Sequence, residues 1–204
     1  MTELPLFPLS GVLLPYGKMP LQIFEQRYLD LVRDSMKNDS PFGVVWIRRG
    51  AEVAVRGAAA PQLGDYGTSA RIVDWDQLPN GLLGVTIEGG RRFDLHATSE
   101  RASGLLVGEV SLRAALPAAR MAPRWEQLPQ VLRSLQAHPH VQRMALQPDY
   151  DDAWQVAYTL LQLLPLEEAD KYRLLGLDEV HALLEELDAI LNQIGAEQSL
   201  EAPD

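Results

Sequence analysis

The 204-residue chain contains no cysteine, so disulfides, thiolate nucleophiles and cysteine-ligated zinc are excluded. Lysine is nearly absent: Lys18, Lys37 and Lys171 are all there are, which leaves a Ser–Lys dyad little to draw on. Histidine is limited to His96, His138, His140 and His181. Basic charge is short overall, with a formal net charge of −10. Nucleic-acid binders usually carry a basic stripe, and here only Arg48, Arg49 and Arg56, then Arg91 and Arg92, come near one another. These read as scattered surface arginines on strands. No apolar run approaches the roughly 18 residues of a membrane helix. The opening Met1-Thr2-Glu3-Leu4-Pro5 lacks a charged n-region, an apolar h-region and a cleavage site, so the chain reads as cytoplasmic.

Catalytic motifs are missing as well. There is no G-x-x-x-x-G-K-S/T phosphate loop and no G-x-S-x-G elbow. His138-Pro139-His140 is half a metal site at most, without His-x-x-x-His spacing or a carboxylate pair; proline makes it a loop between helices. Asp149-Tyr150-Asp151-Asp152 opens like a calcium loop. That loop needs glycine at its sixth position and glutamate at its twelfth, where Trp154 and Leu160 stand. Acidic residues opening a helix explain the run without a ligand. The expectation is a protein without catalytic, cofactor-binding or metal-binding residues, one that works by binding.

What is present divides into two halves. At 47% apolar and 23% charged, the chain has the composition of a folded protein. Up to about Leu112, apolar runs of strand length recur: Leu4 to Leu9, Met19 to Phe24, Phe42 to Ile47, Ala70 to Trp75, Leu82 to Ile87, Arg92 to His96 and Leu105 to Leu112. Asn80-Gly81 is a turn dipeptide, and Gly89-Gly90 between two β-rich runs predicts a hairpin. Pro5, Pro8, Pro15 and Pro20 predict edge, bulged or bent strands, because proline cannot donate to a ladder. One helix interrupts the pattern at Glu25 to Lys37, with Tyr28, Leu31, Val32, Ser35 and Met36 on its apolar face and Asn38-Asp39-Ser40-Pro41 ending it.

After a junction rich in Ala, Arg and Pro at 114–124, the period becomes helical. Trp125, Leu128, Val131, Leu132 and Leu135 form one apolar face; Trp154, Ala157, Tyr158, Leu161 and Leu164 form a second. Pro165 suits the first turn of a third helix and Gly176 its C-terminal cap. Asp178 can cap a last helix striped by Val180, Leu183, Leu184, Leu187, Ile190, Leu191 and Ile194. The boundaries read as a β domain over 1–113, a linker at 114–124, a helical bundle over 125–196 and a frayed tail at 197–204. Charge follows the division: 13 acidic and 11 basic side chains up to residue 112, then 15 acidic and 7 basic. The fold class is α+β.

Leu4-Pro5-Leu6-Phe7-Pro8-Leu9, Pro15, and Leu21-Gln22-Ile23-Phe24-Glu25-Gln26-Arg27-Tyr28 resemble the opening of the Lon protease N-terminal domain family. Phe42-Gly43-Val44-Val45, Gly67-Thr68-Ser69-Ala70-Arg71-Ile72, Leu78-Pro79-Asn80-Gly81, Gly89-Gly90-Arg91-Arg92-Phe93 and Leu163-Leu164-Pro165-Leu166-Glu167-Glu168 follow in the family's order. The resemblance implies a PUA-like β-pseudobarrel followed by a helical bundle. It also implies recognition of protein substrates, by a stand-alone member without the ATPase and Ser–Lys peptidase modules of full-length Lon. Gly11, Gly67, Gly81 and Gly89 are expected to serve turns or bulges, Glu25 to offset a helix dipole, and Arg27 to pair with a carboxylate.

The expected partner is unfolded or extended polypeptide, or a specific protein, with a groove near the seam of barrel and bundle; neither nucleic acid nor membrane is expected. RNA binding is the alternative, since PUA-like barrels occur in RNA-associated proteins, and an enzyme on the same barrel would need a convergent polar pocket. Tyr16, Trp46, Tyr66 and Trp75 are the candidate partner-binding residues, because tryptophan and tyrosine are favoured anchors, although most would be core or partly buried packing.

Overall fold

The computed structural model describes residues 1–52 and 61–201, with 196–201 as backbone alone. The expected surface arginine at position 56 lies outside the described residues. The chain divides into two compact units, Met1–Leu116 and Pro117–Asp204.

Among the described residues the first unit holds six strands and one helix. They are β1 (Thr2–Leu9), β2 (Lys18–Ile23), α1 (Gln26–Asn38), β3 (Phe42–Arg49), β4 (Gln62–Gln77), β5 (Leu83–Glu100) and β6 (Leu106–Leu112). The sheet order is β2-β5-β4-β3-β1-β6, and β6 also pairs with β5. That extra pairing closes a ring through β1, β3, β4, β5 and β6, a pseudobarrel with β2 attached to β5. Among the described strands only β1 and β3 run parallel.

Closure differs along the barrel because β1 changes partner. Thr2 to Pro5 pair with β6, whereas Leu6 to Leu9 pair with β3. Strand β5 does the same: Leu83 to Glu88 face β2, and Phe93 to Glu100 face β6. At the β6 end the ring is complete. At the other end the sheet runs out at β2, so the side of Leu6 to Leu9 away from β3 and the outer side of β2 carry no ladder partner among the described residues. Pro5 and Pro8 thus sit in a strand inside the sheet order, each in a half paired on one side; Pro20 is on the edge strand β2. Pro15 is in no strand. It stands in a turn, with Gly17 N–H donating to Leu14 O.

The Gly89-Gly90 hairpin is not formed: β5 runs straight through it from Leu83 to Glu100. Gly89 is where the 12–17 loop crosses the strand. Tyr16 N–H donates to Gly89 O at 2.8 Å, and Gly89 N–H donates to Gly17 O at 2.9 Å. A Cβ on Gly89 would stand 2.0 Å from Leu14 O. The strand also bulges here, since Thr68 faces Arg92 while Ala70 faces Gly89. The β4–β5 turn is made instead at Asn80-Gly81, where Gly81 has φ +83° and Asn80 Oδ1 accepts from Leu82 N–H. Gly67 is another close approach, its missing Cβ 2.2 Å from Val44 O.

Helix α1 ends on Asp39 in the left-handed region, with Ser40 N–H donating to Ser35 O. Tyr28, Leu31, Val32 and Ser35 are buried as the periodicity predicts, but Met36 is exposed. Buried residues of the barrel include Phe7, Leu9, Ile23, Phe42, Val44, Val85 and Ile87 around Tyr28 and Val32, with a second cluster of Leu4, Leu6, Val45, Phe93 and Val110. Arg92 is buried, unlike the surface arginine expected.

The second unit contains a 3-10 turn at Pro123–Trp125, then α2 (Gln127–Gln136), α3 (Pro139–Gln142), α4 (Ala153–Leu163), α5 (Glu168–Leu175) and α6 (Val180–Glu201). Helix α4 packs against α2 and α6. It buries Val156, Thr159 and Leu160 besides the expected Trp154, Ala157, Tyr158 and Leu161, as a central helix must. Asp152 caps it, its side chain accepting from Trp154 N–H at 2.9 Å, which accounts for the acidic run. Three local expectations are corrected. His138-Pro139-His140 opens the short helix α3 rather than a loop. Pro165 lies in the connection ahead of α5, which begins at Glu168. Helix α6 continues to Glu201, past the position 196 that Gly195 suggested.

Candidate functional site

Strand alternation sets which side chains of the first unit reach its surface. Ile23 points into the core at 2% exposure, so Phe24 must turn out, and it is 55% exposed. Along β4, Ala70 is fully buried. A bulge between Ile72 and Asp74 then shifts the register, leaving Val73 and Trp75 exposed at 43% and 59%. Met36, near the end of α1, is 45% exposed.

Three clefts join these residues into one surface. Met36, Val73 and Trp75 line the first, of about 330 Å³, with Asp39, Arg71 and Asp74. Trp75 and Asp74 also line the second, of about 260 Å³, with Asp76, Leu78 and Pro20 to Gln22 of β2. Pro20 to Gln22 continue into the third, of about 250 Å³, with Phe24, Glu25, Tyr28 and Phe7 to Leu9 of β1. This third cleft lies between the open sides of β1 and β2, where the barrel ring is not closed.

The floor of that opening is built from α1. Tyr28 stacks on Phe7 at 4.0 Å between ring centroids, with planes 12° apart. Burial pushes its phenol up to about 12, with the neighbouring Arg27 charge pulling the other way. Arg27 pairs with Glu25 at 2.9 Å, donates to Gly104 O at 3.0 Å and lies over the Tyr28 ring. The carboxylate partner foreseen for Arg27 is therefore Glu25, and the pair fixes the start of α1 beside the cleft. Ser10 N–H and Oγ–H both donate to Glu52 at the far side.

The structure does not gather the four aromatic candidates. Trp75 is on the surface just described. Trp46 and Tyr66 are half-buried and flank the same bulge between β3 and β4, roughly 30 Å along β4 from Trp75 at strand rise. Trp46 Nε1–H donates to Ser10 O, and Arg113 covers the Tyr66 ring. Tyr16 is 40% exposed in the turn that crosses β5, with φ +61°. Phe24, Val73 and Met36 escaped the sequence reading. The signal for Phe24 was present, since it alternates with the core residue Ile23.

Among the described residues, no group of three or more His, Asp or Glu is placed to hold a metal ion. His96 Nε2 is 2.8 Å from Ser111 Oγ, with His96 exposed and Ser111 half-buried. No helix among the described residues is long and apolar enough to cross a membrane.

Residues 3–193 match the family model of the ATP-dependent protease La (LON) substrate-binding domain. A Lon protease of Brevibacillus choshinensis is 24% identical over 201 residues, 93% of this chain and 25% of its own length. Lon protease 2 of Myxococcus xanthus is 36% identical over 91 residues, 44% of this chain and 11% of its own. The chain thus spans a quarter or less of the curated relatives it matches. Among solved structures, a Lon N-terminal domain protein from Xanthomonas campestris superposes with a TM-score of 0.73 at 39% identity, covering 93% of this chain and 98% of that one. The N-terminal domain of a Mycobacterium avium complex Lon protease, at 17% identity and a TM-score of 0.58, shares the fold.

Proposed function

Since this chain belongs to the Lon substrate-binding domain family, we propose that it is a non-catalytic module that holds extended or partly unfolded polypeptide. The observation that carries this reading is the continuous surface from Met36 through Trp75 to Phe24, which exposes four large apolar side chains around clefts of a few hundred Å³. Beside it lies the outer side of β2, a strand edge without a ladder partner among the described residues. Extended peptides bind such edges by adding a strand, with alternate side chains entering pockets. Binding of any short peptide is expected to be weak, because ordering the chain offsets much of the contact energy.

The test is a titration with fluorescent unfolded protein and with single-stranded RNA, at low and moderate salt. Unfolded protein is expected to bind with little salt dependence, because the contact is largely apolar. Trp75→Ala is expected to weaken it roughly tenfold, the weight of a ~1.4 kcal/mol contact, without lowering the midpoint of unfolding. RNA held through phosphates would lose affinity steeply as salt rises. Tight, salt-sensitive RNA binding with no response to unfolded protein overturns the proposal.

A further inference from the structure

We infer that the surface around Trp75 selects polypeptide in which apolar side chains alternate with basic ones, an arginine or lysine of the bound chain meeting the Trp75 ring and the carboxylates beside it. This rests on reading that surface as a polypeptide site and adds the chemical class of the segment it takes.

Two independent features of the structure point to it. The first concerns aromatic rings. Tyr28, Tyr66, Trp125 and Tyr150 each carry one of the chain's own arginines over the ring, at 4.4 to 5.0 Å from the centroid. Trp75 is the most exposed aromatic residue described, and no cation lies over it among the described residues. Tryptophan has the strongest face for a cation of the three aromatic side chains.

The second is charge. Asp39, Asp74 and Asp76 line the two clefts that share Trp75, with Arg71 as the single basic residue among the described residues on their walls. Asp74 and Asp76 use one oxygen each on a neighbouring backbone N–H, of Trp75 at 2.9 Å and of Gln77 at 2.7 Å. None of the three carboxylates forms an ion pair among the described residues, whereas Glu25, Asp30, Asp65 and Asp94 elsewhere in the same unit do. General acidity does not explain the cluster, because residues 1–112 are nearly balanced at 13 acidic and 11 basic side chains. A cation seated here meets a quadrupole and carboxylates together.

The experiment uses three extended peptides with the same apolar residues and a neutral dye, carrying interspersed Arg, Gln or Glu. Each is titrated by fluorescence anisotropy against the whole chain, at low and high salt. The Arg peptide is expected to bind about tenfold more tightly than the Glu peptide at low salt, with Gln between them and the gap narrowing as salt screens the charges. Asp74→Asn with Asp76→Asn keeps the local backbone bonds and is expected to cut the ratio of Arg-peptide to Glu-peptide affinity about fivefold. Glu3→Gln with Glu109→Gln removes the same charge from another cleft of the barrel and is expected to leave the preference intact. Equal binding of all three peptides, still lost in Trp75→Ala, overturns the selectivity while the polypeptide site stands. No peptide bound, or no effect of Trp75→Ala, overturns both. If the Glu3/Glu109 variant erodes the preference as much as the Asp74/Asp76 variant, the preference belongs to the net charge and the inference is wrong.

Discussion

Tyr28 shows how one side chain ties the surface to the core. Its ring stacks on Phe7 under the third cleft, and the residue as a whole is buried. The phenol is pushed up to about 12, so the folded state keeps its proton more firmly than the unfolded chain, where tyrosine titrates near 10. The stability this supplies is complete below pH ~10 and is lost as pH rises towards ~12. Urea midpoints measured across that range are expected to fall in the native chain and to fall less in Tyr28→Phe. Identical pH profiles for the two proteins would show that burial is not what holds the proton. At the same scale, Tyr16 sits at φ +61°, a conformation that disfavours side chains. Its backbone bond to Gly89 and the turn at Pro15 hold it there.

At the scale of elements, the glycines separate two roles that look alike in sequence. Gly81 ends a hairpin with φ +83° and has nothing within 4 Å of an added Cβ. Gly89 lies in mid-strand beneath a crossing loop, where an added Cβ would strike the Leu14 carbonyl. Gly81→Ala is therefore expected to cost about 1 kcal/mol, the strain of a side chain at positive φ. Gly89→Ala must displace backbone and is expected to cost about 3 kcal/mol. Denaturant unfolding of the two variants checks the order, and equal losses would refute the crossing-loop account. The Gly89-Gly90 dipeptide predicted a turn because local sequence states only that the backbone is unencumbered there. Whether the space serves a turn or another segment is set by a loop more than seventy positions away. Capping signals carried further: Asp152 and Asp39 act where their positions indicated, because a cap is made with residues two to five places distant.

On the scale of the whole molecule, charge and chemistry divide with the chain. The acidic excess is on the helical half, with 15 acidic and 7 basic residues from 113 on, and the barrel half is nearly balanced. The exposed apolar surface lies on the barrel. Nowhere in the sequence is there a phosphate loop, so this 204-residue chain is expected to show no ATP hydrolysis. A coupled assay on protein carried through a second, orthogonal purification checks it; turnover that follows the protein through both columns would contradict the reading as a binding module.

The sequence by itself determined the elements and the family. Apolar runs of strand length fell on each of the six described strands, although β5 was read as two strands of a hairpin, 3.6-residue stripes marked α1, α2, α4 and α6, and the LPLFPL opening with the later G-T-x-A-x-I and R-F pieces identified the lineage. These signals are local, or collinear along the chain, so they survive without a fold. Which strands become neighbours is not local. Only the tertiary structure decided that β1 changes partner at Pro5, that the barrel ring is left incomplete between β1 and β2, and that Trp75 stands with Met36 and Phe24 while Trp46 is half-buried far along β4. Alternation tells which face of a strand a tryptophan occupies. What lies across that face, core or water, depends on strand order and on bulges that shift the register, and long-range pairing fixes those only when the chain folds.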